Sequence, residues 1–484
     1  MERGEAEAIY DRGRDGVVEV LLALAAQNAR LEAQVEKLTA RVARQDERIA
    51  QLERAAKRSS RDSSQPPSAD PPGSPPRRGK DSSGRKQGAQ PGHEGKGRPL
   101  LPAWAVGEVV EHWPTDCRCG YVFSDSERVS AGQPARHQVE ELPVIAVTVT
   151  EHHCQRVRCP GCAATVTAVL PIEVAASAFG PRLQAAIVTL SVRNRISRRD
   201  VVELCEQLFS SRISTGTIDA ILTRAGDALS EPYADLLGRV RGAEALNMDE
   251  TGWRLKGAQR ALWGAFTDRH AVFAIAADRH EDHARDLLGD SAAIVTSDRW
   301  WAYGHLPLKR RQVCWSHLQR DFAAHADGLA AEKDLGEAGL RICEQLFWAW
   351  EIYQHTGDSA DLKRRIRVLR RELKPILTRH AGKSARYRRG RGFARNLLKI
   401  WPTLWTFDSI DGVQPTNNHA ERGLRGAVIY RKLSLGSQSE NGERRIERLL
   451  SAHTTCRLQH RSLHAYLIDL LSTHSRGDPV PMLA

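Results

Sequence analysis

At 484 residues the chain has room for three or four domains, one of them with a sizeable core. Its net charge of +12 and pI near 9.4 favour a polyanionic partner. The apolar run VVEVLLALAA is only ten residues and includes Glu19, far short of a bilayer span.

The opening MERGEAEAIYDRGRDG lacks the basic-then-apolar order of a secretory signal, so a soluble, intracellular protein is expected, with no membrane partner. Its nine cysteines then read as thiols or metal ligands rather than disulfides. The basicity is regional. Residues 54–98 carry eleven Lys/Arg against four acids, and residues 363–399 carry fifteen against one, so the remainder nets −9. Two runs of that density suit surfaces that neutralise phosphates.

From Leu24 a heptad runs unbroken. Leu24, Leu31, Leu38, Gln45 and Leu52 fall at d, and Asn28, Val35, Val42 and Ile49 at a. Valine or isoleucine at a with leucine at d favours two parallel strands, and an Asn at a fixes register. Residues 1–58 are therefore expected to form a coiled-coil dimerisation helix, centred on 17–56. The alternative is one amphipathic helix packed on its own domain.

Residues 59–100, rich in Ser, Pro, Gly, Lys and Arg, have almost no large apolar side chains and read as a disordered basic linker available to DNA. Residues 101–172 read as a small zinc-binding module of short strands, including HQVEELPVIAVTVTEHH at 137–153. Residues 173–240 read as a helical DNA-binding domain. Within it, ISRRDVVELCEQLF and a helix capped by Ser214 make a helix-turn-helix candidate.

From 241 to 435 the texture turns α/β. Three successive strands (EALNMDETGWRL, ALWGAFTDRH, AVFAIAADRH) precede a helix and the buried strand AAIVTSD, and a further strand and helix follow in QVCWSHLQRDFAAHA. A basic helical insertion spans about 325–410, and 436–484 is a C-terminal helical segment. In the insertion, Ile366, Leu369, Leu373, Ile376 and Leu377 predict a buried stripe, Arg364, Arg365, Arg367, Arg370 and Arg371 an outward basic face, Pro375 a kink, and RYRRGRG a loop.

Three carboxylates carry the chemistry. Asp249 lies on the first strand, sharing a face with Asn247, and Asp298 stands where AAIV runs out, the end of a strand at which open α/β sheets place their sites. Glu421 is the single acid in the basic stretch GVQPTNNHAERGLRGAVIYRKLSLGSQS, one turn into a helix announced by Pro415 and Asn417. It could simply pair with Arg425 one turn along. Converging, the three acids could instead hold two Mg²⁺ ions that clamp the oxygens of a phosphodiester displacement. Arg422, Arg425, Arg431 and Lys432, with Arg386, Arg388, Arg389 and Arg391 of the insertion, would then grip DNA phosphate.

LNMDETGWR, SDRWWAYGHL, VCWSHLQRDF and TNNHAERGLRGAVIYRKLSLGS resemble the catalytic domain of the insertion sequence 66 family of bacterial transposases. SSRDSSQPPS…GAQPGHEGK and RHQVEELP…CPGC look like that family's linker and zinc module. The resemblance implies a ribonuclease-H-like core and a DDE triad on Asp249, Asp298 and Glu421, served by Mg²⁺ or Mn²⁺. It also implies a cytoplasmic, nucleoid-associated protein that binds double-stranded DNA at element ends and target, with accessory proteins of the element as possible partners. The family's Trp–x–His falls on Trp315 and His317. Asp321 departs from the pattern, standing where a basic residue is usual.

Cys159-Pro-Gly-Cys162 is half of a zinc site. Cys117-Arg-Cys119 has one intervening residue where two or more are usual, which leaves Cys154, His152 and His153 as substitutes for Cys119. The other reading is a degenerate module of buried thiols. Cys205, Cys314, Cys343 and Cys456 are isolated and expected in the core.

Two rival functions stand beside the transposase. His419-Ala-Glu-Arg422 spells the H-x-x-R of tyrosine recombinases, with Tyr430 or Tyr466 as nucleophile, but leaves Asp249 and Asp298 unexplained. A non-catalytic DNA-binding regulator derived from a transposase is the other.

Overall fold

The computed structural model describes residues 3–56, 98–383 and 387–483. Nearly all of the expected linker, Arg386 and the Leu52 side chain lie outside the described residues. Two compact units divide the chain: Met1–Pro75, Glu151–Glu203 and Ile213–Ala484 form one, and Pro76–Thr150 with Leu204–Arg212 the other. No described helix is long and apolar enough to cross a membrane.

A short helix, α1 (Arg3–Tyr10), leads into α2 (Gly13–Ala56). At 44 residues α2 is about 66 Å long. Leu24, Leu31, Val35, Leu38, Val42 and Ile49, the apolar heptad side chains described, are all exposed, so this chain does not bury its own seam.

The strands expected over 137–153 are corrected. That segment carries no assigned strand, and Val139, Leu142, Val144 and Val149 are largely exposed. Alternation alone cannot make a strand where no neighbour pairs with it. The hairpin instead joins β1 (Arg156–Arg158) to β2 (Thr165–Thr167) across Cys159–Cys162.

Helices α3 (Ile172–Ala175), α4 (Pro181–Val192), α5 (Arg198–Phe209), α6 (Thr215–Ala228) and α7 (Ser230–Arg241) follow, as the helical texture predicts. Ser214 caps α6, its side chain accepting from the Thr217 N–H at 3.1 Å.

The central sheet runs β5-β4-β3-β6-β7. Its members are β3 (Ala245–Leu255), β4 (Ala258–Phe266), β5 (Ala271–Ala276), β6 (Ile294–Ser297) and β7 (Arg311–Val313). The first three form an antiparallel meander; β6 and β7 add in parallel after α8 (Glu281–Leu288). Trp253, Trp263, Phe266 and Phe273 fill the core around it.

After β7 come α9 (Trp315–Ala326) and the insertion helices α10 (Ala330–Thr356), α11 (Ser359–Ala381) and α12 (Arg388–Lys399). The chain closes with α13 (Asn418–Ser434), α14 (Glu440–Leu458) and α15 (Leu463–Arg476). The outer edge of β5 is paired by side chains rather than by a strand. Ala271 and Phe273 N–H donate to Thr455 Oγ1 at 3.0 Å and Ser451 Oγ at 2.9 Å, and Ile275 N–H donates to Glu447 Oε1 at 2.5 Å. Acceptors four residues apart on a helix rise by about 6 Å, close to the two-residue step of a strand. The helix thereby covers an edge that would otherwise be free to recruit another strand.

The insertion's stripe is as expected: Ile366, Leu369, Leu373 and Leu377 are buried and Ile376 is partly so. Two details differ. Residues 388–392 begin α12 instead of forming a loop, because Gly390 lets the helix close on α10, where its N–H donates to Glu332 Oε1 at 3.1 Å. A Cβ there would lie 3.1 Å from Glu332 Cγ. Arg365 and Arg370 do not simply face outward. Arg365 pairs with Asp361 at 2.6 Å over the Trp348 ring, and Arg370 pairs with Asp408 at 3.1 Å over Trp405. Pro375 lies inside α11, as expected of a proline within one helix.

Candidate active site

Sheet register places the first two acids. In the parallel pair β3–β6, Asn247 stands opposite Thr296. Asp249 and Asp298 each lie two residues further on, so adjacent strands deliver both carboxylates to one face at the carboxyl edge of β6. The third arrives on α13. Its N-cap, Asn417, does not cap the helix with its side chain. The amide instead donates from Nδ2 to the Met248 carbonyl at 2.7 Å and accepts from Asn247 Nδ2 at 3.0 Å, while its backbone N–H meets Cys314 Sγ at 3.0 Å. Those bonds tie the start of α13 to β3, with Glu421 one turn in. Gly423 seats the helix against the sheet, since a Cβ there would fall 2.4 Å from the Phe266 ring.

Glu421 is held from α9, not from its own helix. Arg320 Nη2 donates to Glu421 Oε1 at 3.1 Å, and His317 Nε2 lies 3.7 Å from the same oxygen. Burial first, then the Arg320 charge, pushes His317 down to about 3, so its ring is neutral. Its Nδ1 is buried with no hydrogen-bond partner.

The acids feel one another. Burial raises Asp249 well above the usual carboxylate range, reinforced by Glu250, then Asp298 and Glu421, and opposed by the Glu250 N–H that donates to Oδ1 at 3.0 Å. Burial also raises Asp298, opposed by the Trp300 N–H at 2.8 Å and by Arg311 and Arg299. Glu250, a fourth acid that the sequence reading missed, is pushed up to about 7 by burial and then by Asp298. Tyr303 donates to its Oε2 at 2.8 Å, and Arg279 stands 4.0 Å from Oε1. The D-E doublet in MDET was the only signal for it.

No basic side chain among the described residues forms an ion pair with Asp249, although three other acids raise its proton affinity. A divalent cation would relieve that repulsion, so the hard oxygen donors present suit Mg²⁺ or Mn²⁺. Among the described residues no group of three or more His, Cys, Asp or Glu side chains already stands ready to hold a metal ion. The carboxylates therefore interact electrostatically without forming a closed cage.

Arg422, Arg425 and Lys432 are exposed on α13. Arg431 turns inward, donating to the Gly252 carbonyl and, at 3.3 Å, to Thr251 Oγ1. On α12, Arg388 and Arg389 are exposed and Arg391 is half-buried. Trp315 is buried and donates from Nε1 to the Leu404 carbonyl at 2.7 Å, and Asp321 pairs with Arg299 at 3.0 Å.

The cysteines form two local pairs. Cys117 N–H donates to Tyr121 O at 2.8 Å; the Tyr121 backbone, then the Cys117 thiol, lower Cys119 below the usual thiol value. Backbone N–H groups of Cys162 and Gly161, then the Cys162 thiol, lower Cys159. Donors aimed at sulfur favour thiolate, the form a zinc ion binds. Cys154 is half-buried, and His153 lies 3.5 Å from Glu151. Cys205, Cys314, Cys343 and Cys456 are buried, as expected of core thiols.

The recombinase constellation is otherwise engaged. His419 Nε2 meets the Thr267 carbonyl at 2.9 Å, and Tyr466, 3% exposed, donates its hydroxyl to Pro481 O. Burial raises the Tyr430 hydroxyl above its usual value, the wrong direction for a nucleophile.

The molecule is thus an α/β protein with interacting acids gathered at one edge of a mixed sheet. Residues 176–445 match the Transposase IS66 family, and the chain belongs to that family. Residues 23–99 match a family of unknown function, DUF6444. A relative from Sinorhizobium fredii (strain NBRC 101917 / NGR234), described as "Uncharacterized protein y4hP", is 24% identical over 417 residues, covering 78% of this chain and 74% of its own length.

Proposed function

We propose that the chain is the DNA transposase of an insertion sequence, with a ribonuclease-H-like core and a DDE site on Asp249, Asp298 and Glu421. One observation carries the reading: the β3–β6 register and the Asn417 bridge direct three acids, far apart in sequence, to one edge of the sheet. Bound there, Mg²⁺ or Mn²⁺ would supply activation of the attacking oxygen and neutralisation of charge in an in-line displacement.

The chain's own groups hold and aim. Asp249, Asp298 and Glu421 are the oxygen ligands. Arg320 fixes the Glu421 carboxylate, and neutral His317 beside it leaves that charge available. Arg422, Arg425 and Lys432 offer cations to the phosphates flanking the scissile bond, and Arg388, Arg389 and Arg391 extend that charge onto the insertion. In the first reaction water attacks phosphorus, and the strand's 3′ oxygen leaves as a hydroxyl, with a phosphate on the other end. In the second, that 3′-hydroxyl attacks a target phosphodiester; its oxygen bonds to phosphorus as the target's own 3′ oxygen departs with the proton.

The partners on this reading are duplex DNA, at element ends and target, and a second copy of the chain through α2. Cys117/Cys119 and Cys159/Cys162 are the two candidate ligand pairs for structural zinc. Asp249→Asn is expected to abolish Mg²⁺-dependent cleavage of end-containing DNA while leaving DNA binding intact. Full cleavage in EDTA, or a tyrosine–DNA adduct, would overturn the mechanism. A wild-type protein that binds the ends but never cuts them would leave the regulator reading.

A further inference from the structure

A cavity of about 1000 Å³ opens between the α4–α5 turn, α6, the end of α13 and the start of α14. Six arginines line it, Arg195, Arg198, Arg199, Arg444, Arg445 and Arg448, against three aspartates. Much of that charge is internally compensated. Arg198 and Arg445 share Asp219 Oδ1 at 2.5 and 2.9 Å, and Arg448 lies 3.9 Å from Asp227. Among the described residues, Arg195, Arg199 and Arg444 form no ion pair with a carboxylate, and Arg195 reaches α13 at Gly426.

Arg195 is the link. It occupies the turn after α4 at φ +62°, a left-handed conformation that a side-chain-bearing residue rarely adopts. Its guanidinium lies along α13, for a Cβ on Gly426 would stand 3.6 Å from Arg195 Nη2. Arg457 of α14 reaches the other side of that surface and donates from Nη2 to the Arg422 carbonyl at 3.3 Å. The charges of Arg195, Arg193 and Arg422 act on Arg457 and, after burial, lower its proton affinity. Among the described residues, none of these four arginines pairs with a carboxylate. Like charges crowded together without an acid repel one another, and an anion that joined them would relieve that repulsion. Arg422 follows Glu421 directly on α13, so the cluster includes a residue adjacent in sequence to the third acid.

We propose that Arg193, Arg195, Arg422 and Arg457, continuing into the arginine-lined cavity, form a track for the sugar-phosphate backbone of duplex DNA. The track leads from the helical segment before the sheet to the scissile position beside Glu421. This assignment rests on the transposase reading, and it adds a second DNA-holding surface, separate from the insertion and the linker. Arginine suits it because its planar fork meets phosphate oxygens in pairs.

The test uses the full-length protein and a fluorescein-labelled duplex of arbitrary sequence, with affinity measured by anisotropy over a salt series. Losing two phosphate contacts in Arg195→Ala/Arg457→Ala is expected to reduce the log–log salt slope by about 1.8 and weaken binding at low salt. Arg195→Lys/Arg457→Lys is expected to recover most of the slope, which separates lost charge from misfolding. Wild-type and Ala-variant slopes that coincide would overturn the track while leaving the transposase reading standing. A wild-type protein with no affinity for DNA would sink both. Inorganic phosphate binding that the Ala variant abolishes, with an unchanged DNA slope, would reassign the cavity to a small anion and also overturn the proposal.

Discussion

Glu421 makes its ion pair with Arg320 of α9, at 3.1 Å, and not with Arg425 one turn further along its own helix. The local i,i+4 alternative is therefore not what the acid is used for, and the two arginines should fail differently when removed. On the proposed mechanism, Arg320→Ala takes away a partner that orients a metal-binding carboxylate, a loss that typically costs about 10- to 100-fold in metal affinity or activity. The expected result is slower cleavage at saturating DNA, with a raised Mg²⁺ requirement and unchanged DNA affinity. Arg425→Ala should do the reverse, flattening the salt slope by about 0.9 while sparing the rate of the bound complex. Strand-cleavage assays across Mg²⁺ and DNA titrations separate the two; equal losses in both variants would contradict the assignment.

The rung that Glu447 provides to the β5 edge makes stability depend on pH. Burial, first, and the Glu443 charge push Glu447 up to about 7, from an ordinary 4.5. The folded protein thus keeps a proton that the unfolded chain releases above 4.5. Stability should therefore fall as pH rises from 4.5 through 7, by up to roughly 3 kcal/mol from this group. Glu447→Gln retains an acceptor for the Ile275 N–H and should flatten that part of the profile. Urea melts of both proteins between pH 4.5 and 7.5 provide the measurement, and parallel profiles would show that Glu447 does not titrate on unfolding.

The exposed heptad side chains of α2 predict self-association through that helix. Removing residues 1–56 should convert a dimer into a monomer in light scattering or sedimentation. A truncated protein that stays dimeric would place the main interface elsewhere.

The parts of the fold visible in the sequence are those that local chemistry decides. Alternation marks β3 through β5, the strand end locates Asp298, and Ser214 announces α6 through a bond to its own third residue. Glu421 was visible as an acid isolated among arginines. What stayed hidden depends on partners distant in sequence. Nothing local shows that Asn417 will bridge to Asn247 and Met248, that Arg320 will reach Glu421, or that Glu250 will share its neighbour's surroundings. Gly390 misled for the same reason, because glycines among arginines suggest a loop until Glu332 of α10 supplies the surface against which a small residue fits. At 137–153 the error had the opposite sign: the alternation is there, and the pairing strand is not.

The two sides of α9 have separate duties. Trp315, Leu318, Phe322 and His325 sit in the core that the insertion completes, with Trp315 against Trp405, Phe322 against Phe393 and His325 bonded to Glu332. From the same helix, His317 and Arg320 reach Glu421. A twelve-residue helix is stiff enough that both sides move together. A descendant that trimmed residues 330–405 would leave α9 facing water on one side and misaimed on the other. On the proposed function, a chimera that exchanged the insertion without its matching α9 is therefore expected to carry all three acids and yet lose strand cleavage.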